Sequence, residues 1–309
     1  MATKTVIIIA GPTAVGKTAV AIELAKQLST EIISADSRQC YKELRIGVAR
    51  PSEGELSRVQ HHFIASHSIH EKVTAAGFES YALQKAAEIF EHHDQLVMVG
   101  GTGLYIKAFC EGLDEIPEVK VEIRNEIIDA YKAKGLDWLQ EEIQRLDPKF
   151  YQEGEIRNPH RLIRALEVVR STGQSVLSFR KGEKKPRPFN VMKIALDLPK
   201  QQLHQNIDTR VEQMMEAGLE KEARALYPLR HLQALQTVGY KELFDHFNGE
   251  ITLSQAIELI KKNTRQYAKR QMTWFRKDGE FEWVDAAALH VVEKVRKGMP
   301  PPTPSSGER

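Results

Sequence analysis

The stretch "IIIAGPTAVGKTAVAIEL", residues 7–24, joins a short apolar run to a glycine-containing loop and a helical pattern. Its middle fits the phosphate-loop pattern G-x-x-x-x-G-K-[ST]. The eight loop residues are Gly11, Pro12, Thr13, Ala14, Val15, Gly16, Lys17 and Thr18. In such a loop the backbone N–H groups turn toward an anion, the lysine adds positive charge, and the Ser/Thr hydroxyl usually binds Mg²⁺. The stretch therefore predicts a site for a di- or triphosphate.

Strand and helix patterns alternate over the first 110 residues. Short apolar runs predict strands at 5–10, 31–35 and 96–99, and helical spacing predicts helices over 16–28 and 80–92. Such alternation is typical of βαβ units, in which helices cover a parallel sheet. With the phosphate loop, it predicts an α/β fold whose core resembles that of P-loop NTPases.

After about residue 111 the strand signal disappears. Helices are predicted over 119–134, over 136–146, and between Pro159 and Gly173, where Asn158 provides the N-cap. The run 190–198 alternates like a strand and is expected to return to the first sheet. Two further helices are predicted, over 201–227 and over 252–275.

This pattern divides the chain into a core and an insertion. We expect the α/β core to comprise residues 1–114 and 189–299, and a mainly helical insertion to occupy residues 115–188. The proline-rich end, residues 300–309, is expected to be disordered.

Composition indicates a soluble protein of a reducing compartment. The chain has 309 residues, only two cysteines and a net charge of +2. No apolar run approaches the ~18 residues of a membrane span. Two cysteines provide neither a disulfide framework nor a zinc cage. We expect a cytoplasmic protein, and nothing in the sequence requires more than a monomer.

The small net charge hides two basic blocks. Residues 157–187 contain nine Lys/Arg against two Glu, and residues 261–277 contain seven Lys/Arg and no acid. Each block alone is as consistent with a solvated face as with a binding surface. Two such blocks in one chain favour a polyanionic partner.

Asp36 is the first acid placed at the end of a predicted strand. Since the carboxyl ends of neighbouring parallel strands share one crevice, we expect Asp36 to lie near the phosphate loop. There it could accept a proton from an acceptor substrate. The alternative is that it only caps the following turn.

The third predicted strand does not end as a nucleotide hydrolase requires. An ATPase or GTPase needs an acid there to hold Mg²⁺, but this strand runs into Gly100-Gly101-Thr102-Gly103. The glycines allow close approach of another backbone or of a ligand, and Thr102 offers a hydroxyl. A plain tight turn is the alternative.

Seven motifs resemble the tRNA dimethylallyltransferase family in order and spacing. Besides the phosphate loop they are D-S-R-Q-x-Y (36–41), I-G-V-A-R-P (46–51), G-G-T-G-L-Y (100–105), R-L-I-R-A-L-E (161–167), V-G-Y-K-E (238–242) and K-R-Q-M-T-W-F-R (269–276). The resemblance spans residues 5–276. It departs at 73–80, where Val73 and Gly77 replace an aromatic residue and an acid.

The resemblance implies a function and a set of site residues. The loop would hold the diphosphate of dimethylallyl diphosphate, and the product would be an N6-prenylated adenosine 3′ of the tRNA anticodon. Asp36 would be the general base, Thr18 the Mg²⁺ contact, and Lys17 and Arg210 the cations on the diphosphate. The tRNA contacts would come from Asp36, Ser37, Arg38, Gln39, Thr102, Arg124, His160, Arg161, Leu162, Ile163, Arg164, Gln236, Gly239, Tyr240, Lys241, Lys269, Arg270, Trp274 and Arg276.

Two other functions fit some of these features. A small-molecule kinase would use Asp36 to deprotonate a hydroxyl and would place ATP in the loop, but the basic blocks would then have no role. An RNA-binding protein that uses the loop as a switch leaves the acid in the crevice unexplained. Within the second basic block, helical spacing assigns Tyr267 to the core and leaves Trp274 undecided.

Overall fold

The computed structural model describes residues 4–286 and 291–294. Its strands are β1 (Thr5–Ala10), β2 (Ile32–Ser34), β3 (His61–His62), β4 (Gln95–Gly100), β5 (Asn190–Asp197) and β6 (Glu282–Asp285). Its helices are α1 (Lys17–Gln27), α2 (Glu53–Leu56), α3 (Ala75–Phe90), α4 (Gly103–Glu111), α5 (Val121–Leu146), α6 (Pro148–Glu153), α7 (Pro159–Thr172), α8 (Lys200–Glu216), α9 (Leu219–Leu226), α10 (Tyr240–Phe247) and α11 (Leu253–Lys277). The expected disordered tail, 300–309, lies outside the described residues.

The six strands form one parallel sheet in the order β3-β2-β4-β1-β5-β6. Every residue of β1 is buried, because the sheet is covered on both faces. Two apolar clusters, one on each face, contain the alternating residues of β1. The parallel α/β core predicted from the sequence is confirmed.

The register aligns the strand ends that carry the candidate site. Ala10 at the end of β1 pairs with Gly100 on β4 and with Ala195 on β5, and Ser34 of β2 pairs with Val99 of β4. The loops that follow β1, β2 and β4 therefore leave the sheet at the same edge.

Glycines interrupt two helical stretches; one interruption was predicted from the sequence and the other was not. The helix expected over 201–227 is broken into α8 and α9 at Gly218, which has a φ of 99°. A helical pattern continues through this point, but a residue at positive φ cannot continue an α-helix. Gly135 (φ 80°) kinks α5 between the two segments expected there.

The described residues form two compact units, one of residues 4–110, 186–286 and 291–294 and one of residues 111–185. The second unit contains α5, α6 and α7 around its own apolar core, in which Leu139, Phe150 and Leu166 are buried. Helix α7 has the ends that the sequence predicts. The Asn158 side chain accepts a hydrogen bond from the His160 N–H at 3.1 Å, and Gly173 adopts a φ of 72°.

Gly100 permits the close approach of β2 and β4 at the sheet edge. A Cβ on Gly100 would lie 2.2 Å from the backbone oxygen of Ala35. We expect Gly100→Ala to lower the free energy of unfolding by about 1–3 kcal/mol, because the backbone must shift to make room. Urea unfolding measures this loss.

Gly54→Ala is the matched control, because Gly54 is exposed in α2 and has nothing within 4 Å of its would-be Cβ. It should leave stability unchanged or raise it by at most ~1 kcal/mol through helix propensity. Equal unfolding midpoints for the two variants would contradict the steric role of Gly100.

Candidate active site

The phosphate loop connects β1 to α1 and leaves the N–H groups of residues 14–16 without an acceptor in the described part of the chain. Ala14 and Gly16 have positive φ angles of 65° and 96°, which turn the loop back on itself. Among the described residues, none accepts a hydrogen bond from the N–H groups of residues 14–16. Helix α1 also begins without a side-chain cap. Free N–H groups at a helix N-terminus form an anion site.

Two cations lie at this loop. The Lys17 ammonium donates to the backbone oxygen of Pro12 at 2.6 Å, and Nη1 of Arg210, from α8, donates to the Thr13 hydroxyl at 3.4 Å. The pKa of Lys17 is lowered to about 7, mainly by burial and then by the Arg210 charge, while the Asp36 charge opposes the shift. Burial also lowers the pKa of Arg210. A bound anion would stabilise these two cations, which are shielded from water.

Asp36 follows β2 and faces the same edge. One carboxylate oxygen, Oδ1, accepts hydrogen bonds from the N–H groups of Arg38 (2.8 Å) and Gln39 (3.2 Å). Asp36 therefore caps the turn, as the alternative interpretation expected. No described residue donates to its second oxygen, Oδ2, so the carboxylate keeps an oxygen for a substrate.

Thr102 supports this turn from β4's end. The Thr102 hydroxyl accepts a hydrogen bond from the N–H of Ser37 at 3.0 Å and donates one to the Ser37 hydroxyl at 3.3 Å. The backbone N–H of Thr102 donates to the backbone oxygen of Ala35 at 3.2 Å. The hydroxyl is thus engaged by the protein. Thr102 holds the Asp36 turn in place.

A cavity of about 830 Å³ opens at this edge. Its wall includes the phosphate loop with Lys17 and Thr18, the turn 36–39 and Arg210. Four more of the residues expected to contact tRNA also line it: Gln236, Gly239, Lys241 and Arg270. The residues predicted for diphosphate binding and for proton transfer therefore share one cavity.

The segment 45–47, beside the cavity, is held by Glu222 of α9. The Glu222 carboxylate accepts from three consecutive backbone N–H groups, those of Arg45, Ile46 and Gly47, at 2.9–3.2 Å. It also accepts from the Tyr240 hydroxyl at 2.6 Å. Sequence analysis missed Glu222, because an acid on a helix gives no local sign of a distant loop.

Tyr240, which was expected to contact tRNA, packs against this segment, and its contact with tRNA stays a prediction. The side chain is fully buried, and a Cβ on Gly47 would lie 2.5 Å from its Cζ atom. The Tyr240 ring occupies the space beside Gly47 and packs against the segment 45–47.

Helix α11 packs against the glycine turn that follows β4. A Cβ on Gly101 would lie 2.1 Å from Nε2 of Gln271, and one on Gly103 would lie 2.1 Å from Cδ1 of Trp274. These two glycines accommodate side chains of α11. Trp274 remains 40% exposed at this place.

The second basic block has less free charge than its sequence indicates. Lys261, Arg265 and Arg276 form ion pairs with acids of other elements or of α11 itself. Lys269 and Arg270 are exposed and have no ion-pair partner among the described residues. Tyr267, expected in the core, is only half-buried and lines the cavity, so that expectation is wrong.

The second unit places the predicted residues of α7 on two sides of the helix. Leu162 and Ile163 are buried in its core, and their expected contact with tRNA stays a prediction. His160 and Arg161 are exposed. An apolar stripe and a polar face on one helix explain both results.

A buried carboxylate orients two arginines of this unit. Glu167 is fully buried; its oxygens accept from Nη1 of Arg124 at 2.7 Å and from Nη1 of Arg164 at 3.3 Å. The arginine side chains stay about 40% exposed. Each guanidinium thus keeps donors for a partner in solution.

Comparison with known proteins assigns the family. The IPP transferase family model matches residues 39–278. The chain belongs to the IPP transferase family. A tRNA dimethylallyltransferase of Christiangramia forsetii is 49% identical over 277 residues, which is 90% of this chain and 92% of that protein.

Solved structures agree with this membership. A tRNA isopentenylpyrophosphate transferase of Bacillus halodurans is 34% identical with a TM-score of 0.70, covering 95% of this chain and 96% of the other. A eukaryotic dimethylallyltransferase acting on tRNA is 26% identical with a TM-score of 0.74, covering 93% of this chain and 75% of that one. The predicted fold and the predicted enzyme class, a prenyl-group transferase, are confirmed. Among the described helices, none is long and apolar enough to cross a membrane.

Because the pKa of Lys17 is lowered, we predict that this protein takes up protons when diphosphate binds. The free ammonium loses its proton as the pH rises through about 7, whereas an adjacent diphosphate would raise that pKa again. Affinity for diphosphate should therefore be highest below pH 7 and should fall as the pH rises above it. Calorimetry at pH 8, in buffers of different ionisation enthalpy, measures the uptake.

Lys17→Arg is the control, because an arginine stays charged throughout this range. Uptake that persists unchanged in this variant would belong to the diphosphate itself and would contradict the role of Lys17.

Proposed function

We propose that this protein transfers a dimethylallyl group from dimethylallyl diphosphate to N6 of the adenosine 3′ of the tRNA anticodon, position thirty-seven. The observation that carries this proposal is the free Oδ2 of Asp36 in the same cavity as an open phosphate loop with two desolvated cations. The similar proteins named above are tRNA dimethylallyltransferases, which supports the same substrates.

The lone pair of the exocyclic amine of adenine is delocalised into the ring, which makes the amine a weak nucleophile. It therefore needs a base to take its proton as it attacks. As nitrogen bonds to carbon 1 of the prenyl group, the bond from that carbon to the diphosphate oxygen breaks, and the amine loses a proton. Oδ2 of Asp36 receives that proton. Such assistance is typically worth ~10²–10⁴-fold in rate.

The phosphate loop stabilises the leaving diphosphate. Negative charge grows on the leaving oxygen, and the N–H groups of residues 14–16, Lys17 and Arg210 face it. Fixed donors and cations that meet charge formed in the transition state are the source of catalysis. The Thr18 hydroxyl, at the second position of α1, suits an Mg²⁺ ion, which when bound would neutralise part of the diphosphate charge.

The tRNA would bind through exposed cations and offer its base to the cavity. The base leaves the anticodon loop at a cost of only a few kcal/mol, because that loop is single-stranded. Lys269 and Arg270 on α11 are available to phosphates, as are Arg124, His160 and Arg164 of the second unit, whereas Arg161 is exposed but ion-paired with Glu155 at 2.6 Å. An ATP-dependent kinase gives these residues no role, and the family membership does not favour it.

Asp36→Asn separates the base from the turn cap. The amide oxygen can still accept from the N–H groups of Arg38 and Gln39, so the turn should survive. The amide cannot take the proton, and we expect turnover of bound tRNA to fall by ~10²–10⁴-fold with unchanged tRNA affinity. Single-turnover prenylation of unmodified tRNA, with binding measured separately, provides the test.

Asp36→Ala completes the comparison, because it removes both the proton acceptor and the turn cap. Normal turnover in the asparagine variant would exclude Asp36 as the base. Phosphate transfer from ATP to a metabolite, with no prenylated nucleoside, would overturn the proposed function as a whole.

Lys269→Ala tests the tRNA surface. Removing one phosphate contact should weaken binding and reduce the slope of log K against log salt by ~1. Lys26→Ala is the charge-matched control, because Lys26 is exposed in the last turn of α1. Identical salt slopes for both variants would exclude Lys269 from the interface.

A further inference from the structure

Gln271 is a buried polar side chain that joins two loops of the cavity. It lies on α11 with only 6% of its surface exposed. Its Oε1 accepts a hydrogen bond from the backbone N–H of Thr13 at 2.9 Å. Its Nε2 donates to the backbone oxygen of Gly101 at 3.0 Å. The two bonds link the loop after β1 to the loop after β4.

The chemistry of this link suits an amide. A carboxylate could accept from Thr13 but could not donate to Gly101, and an ammonium could do only the reverse. The fit also depends on glycine, because a Cβ at position 101 would lie 2.1 Å from Nε2. Gln271 and Gly101 therefore function as a pair.

Thr13 is held from two directions. Gln271 binds its N–H, and Arg210 of α8 donates to its hydroxyl. The following N–H groups, of residues 14–16, have no acceptor among the described residues. The point at which the loop is fixed thus directly precedes the donors that have no acceptor in the described chain.

We propose that Gln271 is a positioning residue that holds the phosphate loop in its anion-binding conformation before the prenyl donor arrives. This proposal rests on the proposed function for the identity of the donor. A loop held in advance does not pay the entropy of ordering when the ligand binds, so its donors are effective at once.

Gln271→Met tests this role, because methionine has nearly the same volume and makes neither hydrogen bond. The affinity for inorganic diphosphate with Mg²⁺, measured by calorimetry, should fall by ~10-fold, about the loss expected from an unsatisfied loop group. The KM for the prenyl donor should rise by a similar factor, while the dissociation constant for tRNA should not change. Gln202→Met, at an exposed position of α8, should change none of these values.

Gly101→Ala perturbs the same link from the other side and serves if the methionine variant does not fold. The added Cβ displaces Nε2, so diphosphate affinity should again fall. Since both variants break one link, their effects should not add in the double variant.

A merely structural role has a different outcome. It would lower the melting temperature of both variants while leaving diphosphate affinity and donor KM unchanged, and this result would overturn the proposal. Diphosphate binding is measured without tRNA. If no prenyl transfer occurs but the variants still weaken diphosphate binding, the proposed function fails and the role of Gln271 stands.

Discussion

The site depends on the close approach of parallel strands at one edge of the sheet. Ala10 and Gly100 are paired neighbours, and Gly100 lies against the backbone of Ala35 without room for a Cβ. This contact places the turn containing Asp36 next to the phosphate loop. A residue with a side chain at position 100 would push the turn containing Asp36 away from the end of β4.

Two helices distant in sequence complete what the strand ends begin. Helix α8 brings Arg210 to the phosphate loop, and α11 brings Gln271 to the loop and Tyr267 to the cavity. The side chains that contact the loop from these helices are buried or half-buried. Their polar groups are strong there because little water competes, and for the same reason burial lowers the pKa of Lys17 and of Arg210.

Ion pairs, more than composition, decide how much positive charge this protein leaves free on its surface. Nine of the sixteen Lys/Arg in the two basic blocks form ion pairs with acids of the described chain. In the second unit, Glu167 orients Arg124 and Arg164 and leaves part of each exposed. The surface available to a polyanion is therefore smaller than the sequence indicates, and more ordered.

Local patterns in the sequence determined the strand–loop–helix unit of residues 5–27, the parallel sheet, and the ends of α7, since these follow from short-range sterics and hydrogen bonding. They also placed Asp36 near the loop. They left open whether Asp36 caps its turn, and they could not predict the burial of Tyr240 or the links made by Glu222 and Gln271. Those features join residues far apart along the chain, and only the packing of the helices on the sheet decides which side chains meet.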